Sequence, residues 1–365
     1  MIRPTRAGLL RRSLASRPRK PRKVGRSPAP AFRPGKLIFR VTGQVSVIDY
    51  IIRRVLLNIL VLWMVATLVF AALRVLPGNY AVAQFAGANL GGVTPEAIAN
   101  AEKELGLDKP VTTQYRDFMW NTIRLDLGDS FRTKRSVWSE LRDAFPYSAE
   151  LAFLIVLVGF GVAVPVGILS AVNQDKWPDY VLRGIAIGAL AAPVFWTASI
   201  AVSIVLAFDL FKIDVIGQPH LWDDPIGALK WYLIPMFAGG LASTANTMRV
   251  LRSQMLEVLR DDYIRTARAK GLNERSVVMR HALRNALLPV LTVMGLTVAT
   301  IVGSQIVLEQ MFNIPGIGRL LFTSIFLRDY PLTQGLVLLT TFVIVSTNLA
   351  VDVLYGYLDP RVRLA

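Results

Sequence analysis

The chain has 365 residues, 53% of them hydrophobic and only 18% charged, yet its formal net charge is +16. A soluble globular domain usually carries about 25% charged residues, so this depletion, with a mean hydropathy of +0.45, argues against a soluble core. With no cysteine there are neither disulfides nor thiolate metal sites, and the only histidines, His220 and His281, lie outside the apolar blocks where a membrane haem would need ligands.

Residues 1–46 form a compositional zone of their own. RPRKPRKVGRSPAPAFRPGK has no apolar periodicity and no acid, so it cannot bury enough surface to offset its ordering entropy. A disordered, solvated tail is expected there; attraction to anionic membrane lipid and a nucleic-acid arm are the alternatives. It does not have the pattern of a signal peptide.

From Tyr50 onward the apolar residues fall in six blocks almost free of charge: Val55 to Leu73, Leu151 to Val172, Gly184 to Phe208, Trp231 to Thr247, Ala286 to Leu308 and Leu336 to Val351. A helix needs roughly 20 apolar residues to cross a bilayer. Trp231 to Thr247 is the weakest block, with Gly239, Gly240, Ser243, Thr244 and Asn246 in it. The pattern predicts an all-α integral membrane protein of six transmembrane helices. Its parts are a first helix over 50–76, an extracytoplasmic domain over 77–147, and a core of five helices over 148–365.

Basic loops stay on the cytoplasmic side. With both termini inside, the inner segments hold 28 of the 41 Lys and Arg and the outer segments hold 13. The expected topology is N-in and C-in.

The outer segment reads as a helical cap. TPEAIANAEKELGL starts a helix at Thr94-Pro95 and stops it at Gly106, and TQYRDFMWNTIRL is a second amphipathic helix. After LDLGDSF, the stretch VWSELRDAF is a short helix leading into the second span. His220, in QPHLWDDP, has no partner set nearby in sequence and reads as structural or incidental.

The inner segment 249–284 contains DDYIRTARAKGL. Asp261 or Asp262 is placed to N-cap a short helix, Arg265, Arg268 and Lys270 make it basic, and Gly271 suits its C-terminal stop. Asn273 then caps NERSVVMRHALRNALLP, which runs into the fifth span. The product is a polar elbow projecting into the cytosol. Small residues at Ala267, Ala269 and Gly271 would let a partner approach closely.

In residue order this region resembles the permease subunits of ATP-binding-cassette importers of the dipeptide/oligopeptide/nickel family. Their cytoplasmic signature is Glu-Ala-Ala, three residues, then glycine; here Arg265-Thr266-Ala267 precedes Gly271 by the same interval. YIRTARAKGL and HALRNALLP follow the form of the peptide-permease branch. The resemblance runs from Tyr50 to Arg363 through IDYIIRRVLL, LPG (Leu76 to Gly78), LGLDKP, DLGDS, PVGILSA, LEQMF, PGIG, RDYP and DPR (Asp359 to Arg361). VGSQ at Val302 to Gln305 departs from the glycine-rich form usual there.

The resemblance implies the type I importer permease fold and the first of two permease subunits. It also implies that the elbow (Asp262, Tyr263, Arg265, Thr266, Ala267, Arg268, Ala269, Lys270 and Gly271) is a coupling helix docking on an ATPase. Expected partners are a second homologous permease, two cytoplasmic ATPase domains, an extracytoplasmic substrate-binding protein and membrane lipid, with no nucleic acid. The expected location is a prokaryotic cytoplasmic membrane. The chain has no G-x-x-x-x-G-K-[ST] motif. ATP and Mg are therefore expected on partner subunits, with no catalytic, metal or cofactor site in this chain.

The alternative is a secondary transporter or channel not powered by ATP. Ion-coupled carriers bury ionisable residues in their helices, whereas Arg74, Glu150, Arg183, Asp209, Glu309 and Asp352 all lie near span ends. Ser199, Ser203, Ser243, Thr244, Asn246, Thr297, Thr300, Ser304 and Gln305 are candidates to line a pathway; packing between helices is an equal alternative for each.

Overall fold

The computed structural model describes residues 47–75, 95–104, 106–210 and 218–358. The tail 1–46, the LPG at Leu76 to Gly78 and the DPR at Asp359 to Arg361 lie outside the described residues. Among those described, every regular element is helical, apart from one isolated bridge between Asp129 and Ser136.

In chain order these are α1 (Val47–Val75), α2 (Pro95–Glu104), α3 (Val111–Ile123), α4 (Val137–Val172), α5 (Trp177–Ala191) and α6 (Val194–Ala207). There follow α7 (Pro225–Val258), α8 (Asp262–Ala269) and α9 (Glu274–Ser276). A π-helical turn, Val277–Ala282, leads into α10 (Leu283–Met311), then α11 (Ile317–Phe326) and α12 (Tyr330–Leu358). Gly106 turns the chain after α2 at a φ of +66°, as its glycine signal suggested.

Four stretches are helical, long and apolar enough to cross a bilayer: Ile51–Val75, Val137–Val172, Glu274–Val298 and Tyr330–Val351. The block Gly184 to Phe208, expected as one span, is instead the pair α5 and α6, bent by 111°. The cause is local. Ala192 precedes Pro193 and is extended, with ψ at 127°, because a residue before proline is sterically pushed out of the helical region. Pro146 and Pro165 lie inside α4 without ending it, and VWSELRDAF is the first part of that one 36-residue helix.

The weak block Trp231 to Thr247 lies inside the 34-residue α7, which is not among the helices apolar enough to cross. Its surroundings explain this: α7 packs against α4, α5, α6 and α10. Tyr232, Ala245, Met248, Leu251 and Met255 are almost fully buried. A helix covered by other helices needs small residues for close approach more than it needs a lipid-soluble surface.

The α4–α7 contact is the most extensive in the bundle, and glycines set its closeness. A Cβ on Gly159 would meet Ser243 Oγ, one on Gly240 would meet Val158 Cγ1 at 2.8 Å, and one on Gly167 would meet Leu251 at 3.0 Å. Thr244 Oγ1 donates across the gap to the Gly159 carbonyl at 3.2 Å. On the other side of the bundle α1 packs against α12, and Thr67 and Tyr115 join their hydroxyls at 2.9 Å to hold α3 on α1.

Gly240→Val is expected to cost about 1–3 kcal/mol by overpacking and to lower the thermal unfolding midpoint of the purified chain in detergent. Gly161→Ala, whose Cβ meets nothing within 4 Å, is the control and should leave the midpoint unchanged or slightly raised. Equal midpoints for both variants would remove the close α4–α7 contact as a determinant of stability.

Candidate functional site

After α7 the chain turns through Leu259 to Asp261, and Asp261 Nα donates to the Val258 carbonyl. Asp261 holds the N-cap position of α8 with an extended backbone, but its side chain makes no capping bond. The Asp262 carboxylate instead takes Arg265 at 3.1 Å, one turn on. The end of α8 is fully specified. Gly271, at φ +78°, donates to Arg268 O, and Leu272 donates back to Ala267 O, a Schellman closure that favours glycine at that position. Asn273 then caps the next turn, its Oδ1 accepting from Ser276 N at 2.8 Å.

Ile264 and Ala267 are the buried residues of α8. They enter an apolar cluster with Ala171 of α4, Leu251 and Met255 of α7, and Val277, Ala282 and Leu283 beyond the turn. Ala267 therefore faces the core rather than a partner, because its position one turn after Ile264 puts both on one side of the helix. The small residues left on the outer surface are Ala269 and Gly271. Tyr263, Arg265, Thr266, Arg268 and Lys270 are exposed around them.

Tyr263 is held by Asn285 Nδ2, which donates to its hydroxyl at 2.7 Å. Arg268 grips Glu274 with both Nε and Nη2, at 3.1 and 2.7 Å, so the elbow's two arms are bridged. This carboxylate holds the Arg268 guanidinium above its ordinary pKa.

Beneath the elbow lies a buried ion pair that the sequence did not single out. Asp179, fully buried in the first turn of α5, receives Arg252 of α7 in a fork, Nε at 2.8 Å and Nη2 at 2.7 Å. Ser170 Oγ of α4 and the backbone N–H of Asp175 donate to the same carboxylate. Arg183 adds its charge with Nε at 3.5 Å. Three helices converge on one carboxylate. The only local hint was an acid in a first turn beside proline; Arg252 lies 73 residues away.

At the opposite end of α4 three more buried acids occur. Glu309 takes Ser148 Oγ at 2.6 Å and the N–H groups of Gly318 and Arg319, so it caps α11. Asp329 takes Ser130 Oγ and the N–H of Phe131, which fastens the DLGDS loop to the start of α12. Glu150 takes Tyr232 Oη at 3.1 Å and lies 2.9 Å from His220 Nδ1. His220 is stacked between Tyr147 and Trp222, with centroids 4.2 and 4.3 Å away, so it has the partner set that its sequence neighbourhood lacked.

The polar residues considered for a pathway are spread over α6, α7 and α10, and of them Ser243 and Thr297 line one small cavity between α4, α7 and α10. Ser199 and Ser203 are exposed on α6, with hydroxyls returned to carbonyls of their own helix. Ser243 and Thr244 lie in the α4–α7 contact. Asn246 accepts from Arg249, and Thr297 donates to Val293 O. Thr300 and Ser304 are exposed on α10, whereas Gln305 is only 4% exposed and its Oε1 has no hydrogen-bond partner.

Two family models match the chain. The binding-protein-dependent transport system inner membrane component covers residues 163–364, and the N-terminal membrane component of the same systems covers residues 47–152. A Brucella abortus (strain 2308) protein provisionally named a peptide transport system permease is 38% identical over 313 residues, covering 86% of this chain and 98% of that protein. The dipeptide transport system permease protein DppB of Escherichia coli (strain K12) is 36% identical over 338 residues, covering 87% and 99%. DppB of Alkalihalophilus pseudofirmus is 35% identical over 334 residues, covering 86% and 99%.

Removing one partner of the buried pair, by Asp179→Asn or Arg252→Met, is expected to cost about 3–5 kcal/mol. The double variant Asp179→Leu/Arg252→Met should recover most of that loss. Thermal unfolding in detergent gives the three values, and a double variant that merely sums the two single losses would show that the groups do not act as a pair.

Proposed function

The chain belongs to the binding-protein-dependent transport system inner membrane components, and on that premise we propose that α8 is the element through which it is driven by ATP. It is a multi-pass inner-membrane permease subunit of an ATP-binding-cassette importer, a family associated with a substrate-binding protein and ATPase partners. No enzymatic family is indicated for it. Our finer reading is that ATP and Mg are held by partner subunits and that this chain contributes half of a translocation pathway beside a second, homologous permease. Peptides are the proposed cargo, because the relatives are named for peptide and dipeptide transport.

The observation that carries the reading is the construction of α8. It is short and basic, anchored inward by Ile264 and Ala267, and closed at Gly271. Tyr263, Arg265, Ala269 and Lys270 remain on its outer surface. A helix anchored by apolar contacts but polar outside transmits a push to its own core without dissolving into the membrane. Rim charges of this kind steer a partner and fix its register more than they add affinity.

For the topology we propose six spans with both termini inside, α7 serving as the protein-covered span and the bent α5–α6 pair as one broken span. The residues from 77 to 147 then form the outer domain that meets the binding protein. Thr300 and Ser304 are our candidates for the pathway surface of α10.

The test is to purify the chain from its native membrane in mild detergent and identify the accompanying subunits. Wild type should bring a second permease and ATPase subunits. Gly271→Asp should keep the permease and lose the ATPases, since its Cβ meets nothing within 4 Å and aspartate tolerates positive φ better than most residues. A mutant that retains its ATPases would remove α8 from the docking role. Wild type recovered alone, where known complexes survive, would overturn the reading in favour of an ATP-independent carrier.

A further inference from the structure

A cavity of about 240 Å³ opens where the end of α1, α3, the loop after it and the start of α12 come together. Arg74, Lys109, Asn121, Phe131, Tyr330 and Gln334 are among its lining residues. Nothing in the elbow or the proposed pathway uses it.

The guanidinium of Arg74 is fixed there on three sides. Its Cζ lies 4.2 Å from the Phe70 ring centroid and 4.8 Å from that of Tyr330. Its Nε and Nη2 both donate to Gln114 Oε1, at 3.1 and 2.8 Å. Gln114 is itself tied down, because its Nε2 donates to the carbonyls of Leu107 and Lys109. What remains is Nη1, which is buried and has no hydrogen-bond partner. Gln334, on the first turns of α12 and only 6% exposed, is in the same condition: its Nε2 is buried without a partner. Both residues line the one cavity.

Two buried N–H groups without acceptors are costly, about 1–3 kcal/mol each and more for a charged donor. Their chemistry is the same. Both are donors, one is cationic, and Lys109 adds a second positive charge to the lining. Two carboxylates line it as well, Asp117 in an exposed pair with Arg116 at 3.1 Å and Asp126 accepting from Gly128 N at 3.0 Å, so the lining carries both signs of charge. What the two buried donors lack is an acceptor.

We infer that this cavity is a binding site for an oxyanion, a carboxylate or phosphate group, received by Arg74 Nη1 and Gln334 Nε2. A planar or tetrahedral oxyanion offers an oxygen to each donor, and the pre-oriented guanidinium loses little freedom on binding. The group is supplied either by a free solute or by the headgroup of a phospholipid beside the end of α1. The site stands whether or not α8 docks an ATPase.

The discriminating variant is Gln334→Glu. It keeps the side chain's size, turns a donor into an acceptor, and places a negative charge on the lining that repels an oxyanion. Gln334→Leu removes the donor without adding charge. The full chain, purified in a maltoside detergent with the subunits that accompany it, is titrated with sodium phosphate and with sodium acetate against a sodium chloride control of equal ionic strength. Wild type should show a saturable rise in thermal unfolding midpoint, and both variants should weaken the apparent Kd by about tenfold or more, the effect of one hydrogen bond. In parallel, native mass spectrometry measures phosphatidylglycerol retained on each protein. Saturation by the salts with no lipid difference identifies a free oxyanion as the ligand. Lipid retained by wild type and lost from Gln334→Glu identifies a headgroup. If wild type and both variants behave alike in the two arms, the donors are satisfied by water and the inference is overturned.

Discussion

The fork between Arg252 and Asp179 is the interaction on which the elbow's position depends. A carboxylate with no exposed surface cannot stay ionised without a fixed partner, and breaking such a pair strands a charge. Here the partner comes from α7, a supporting hydroxyl from α4 and the carboxylate from α5. These helices cannot slide independently at that level. Since α7 ends a few residues later and turns directly into α8, the elbow is joined to the α4–α7 contact by covalent chain and by apolar packing.

That contact is rigid for a different reason. Gly159, Gly167 and Gly240 bring backbones together so closely that side-chain atoms of the facing helix fill the space a Cβ would need. In a membrane this kind of packing replaces the hydrophobic effect as the force between helices. Small residues therefore do in α7 what leucine does in a soluble core. The polarity that makes α7 a weak span is the same property that makes it a good central helix.

The opposite end of the bundle is fastened by another chemistry. Glu309 and Asp329 take backbone N–H and hydroxyl donors. Such carboxylates satisfy helix starts and loop amides that would otherwise be orphaned. They fix local backbone shape, the entry into α11 and the seating of the DLGDS loop on α12, while the ion pair at the elbow end locks whole helices to each other. On α8 itself, Arg265 and Arg268 are already engaged by Asp262 and Glu274. The intramolecular pairs hold the basic side chains in set directions, so the outer surface of α8 is ordered.

The sequence alone determined the membrane class, because charge-free blocks of near 20 residues have few other uses. It also determined the elbow's limits, since Gly271 and Asn273 act within one turn of their own positions. Its order of motifs identified the family, and the helices over 95–104 and 111–123 followed from proline, glycine and amphipathic spacing. The tertiary structure decided everything that needed residues far apart. Pro193 could be seen in the sequence, but not that the chain would bend by 111° there while staying in one helix past Pro146 and Pro165. Ala267 looked like open surface until its packing on Leu251 and Val277 turned it inward. Asp179 and Arg252, or Glu150 and His220, are 73 and 70 residues apart, and no local period relates them. Propensity and capping act over four or five residues; a buried charge chooses its partner across the whole bundle, and only the packed helices bring that partner within reach.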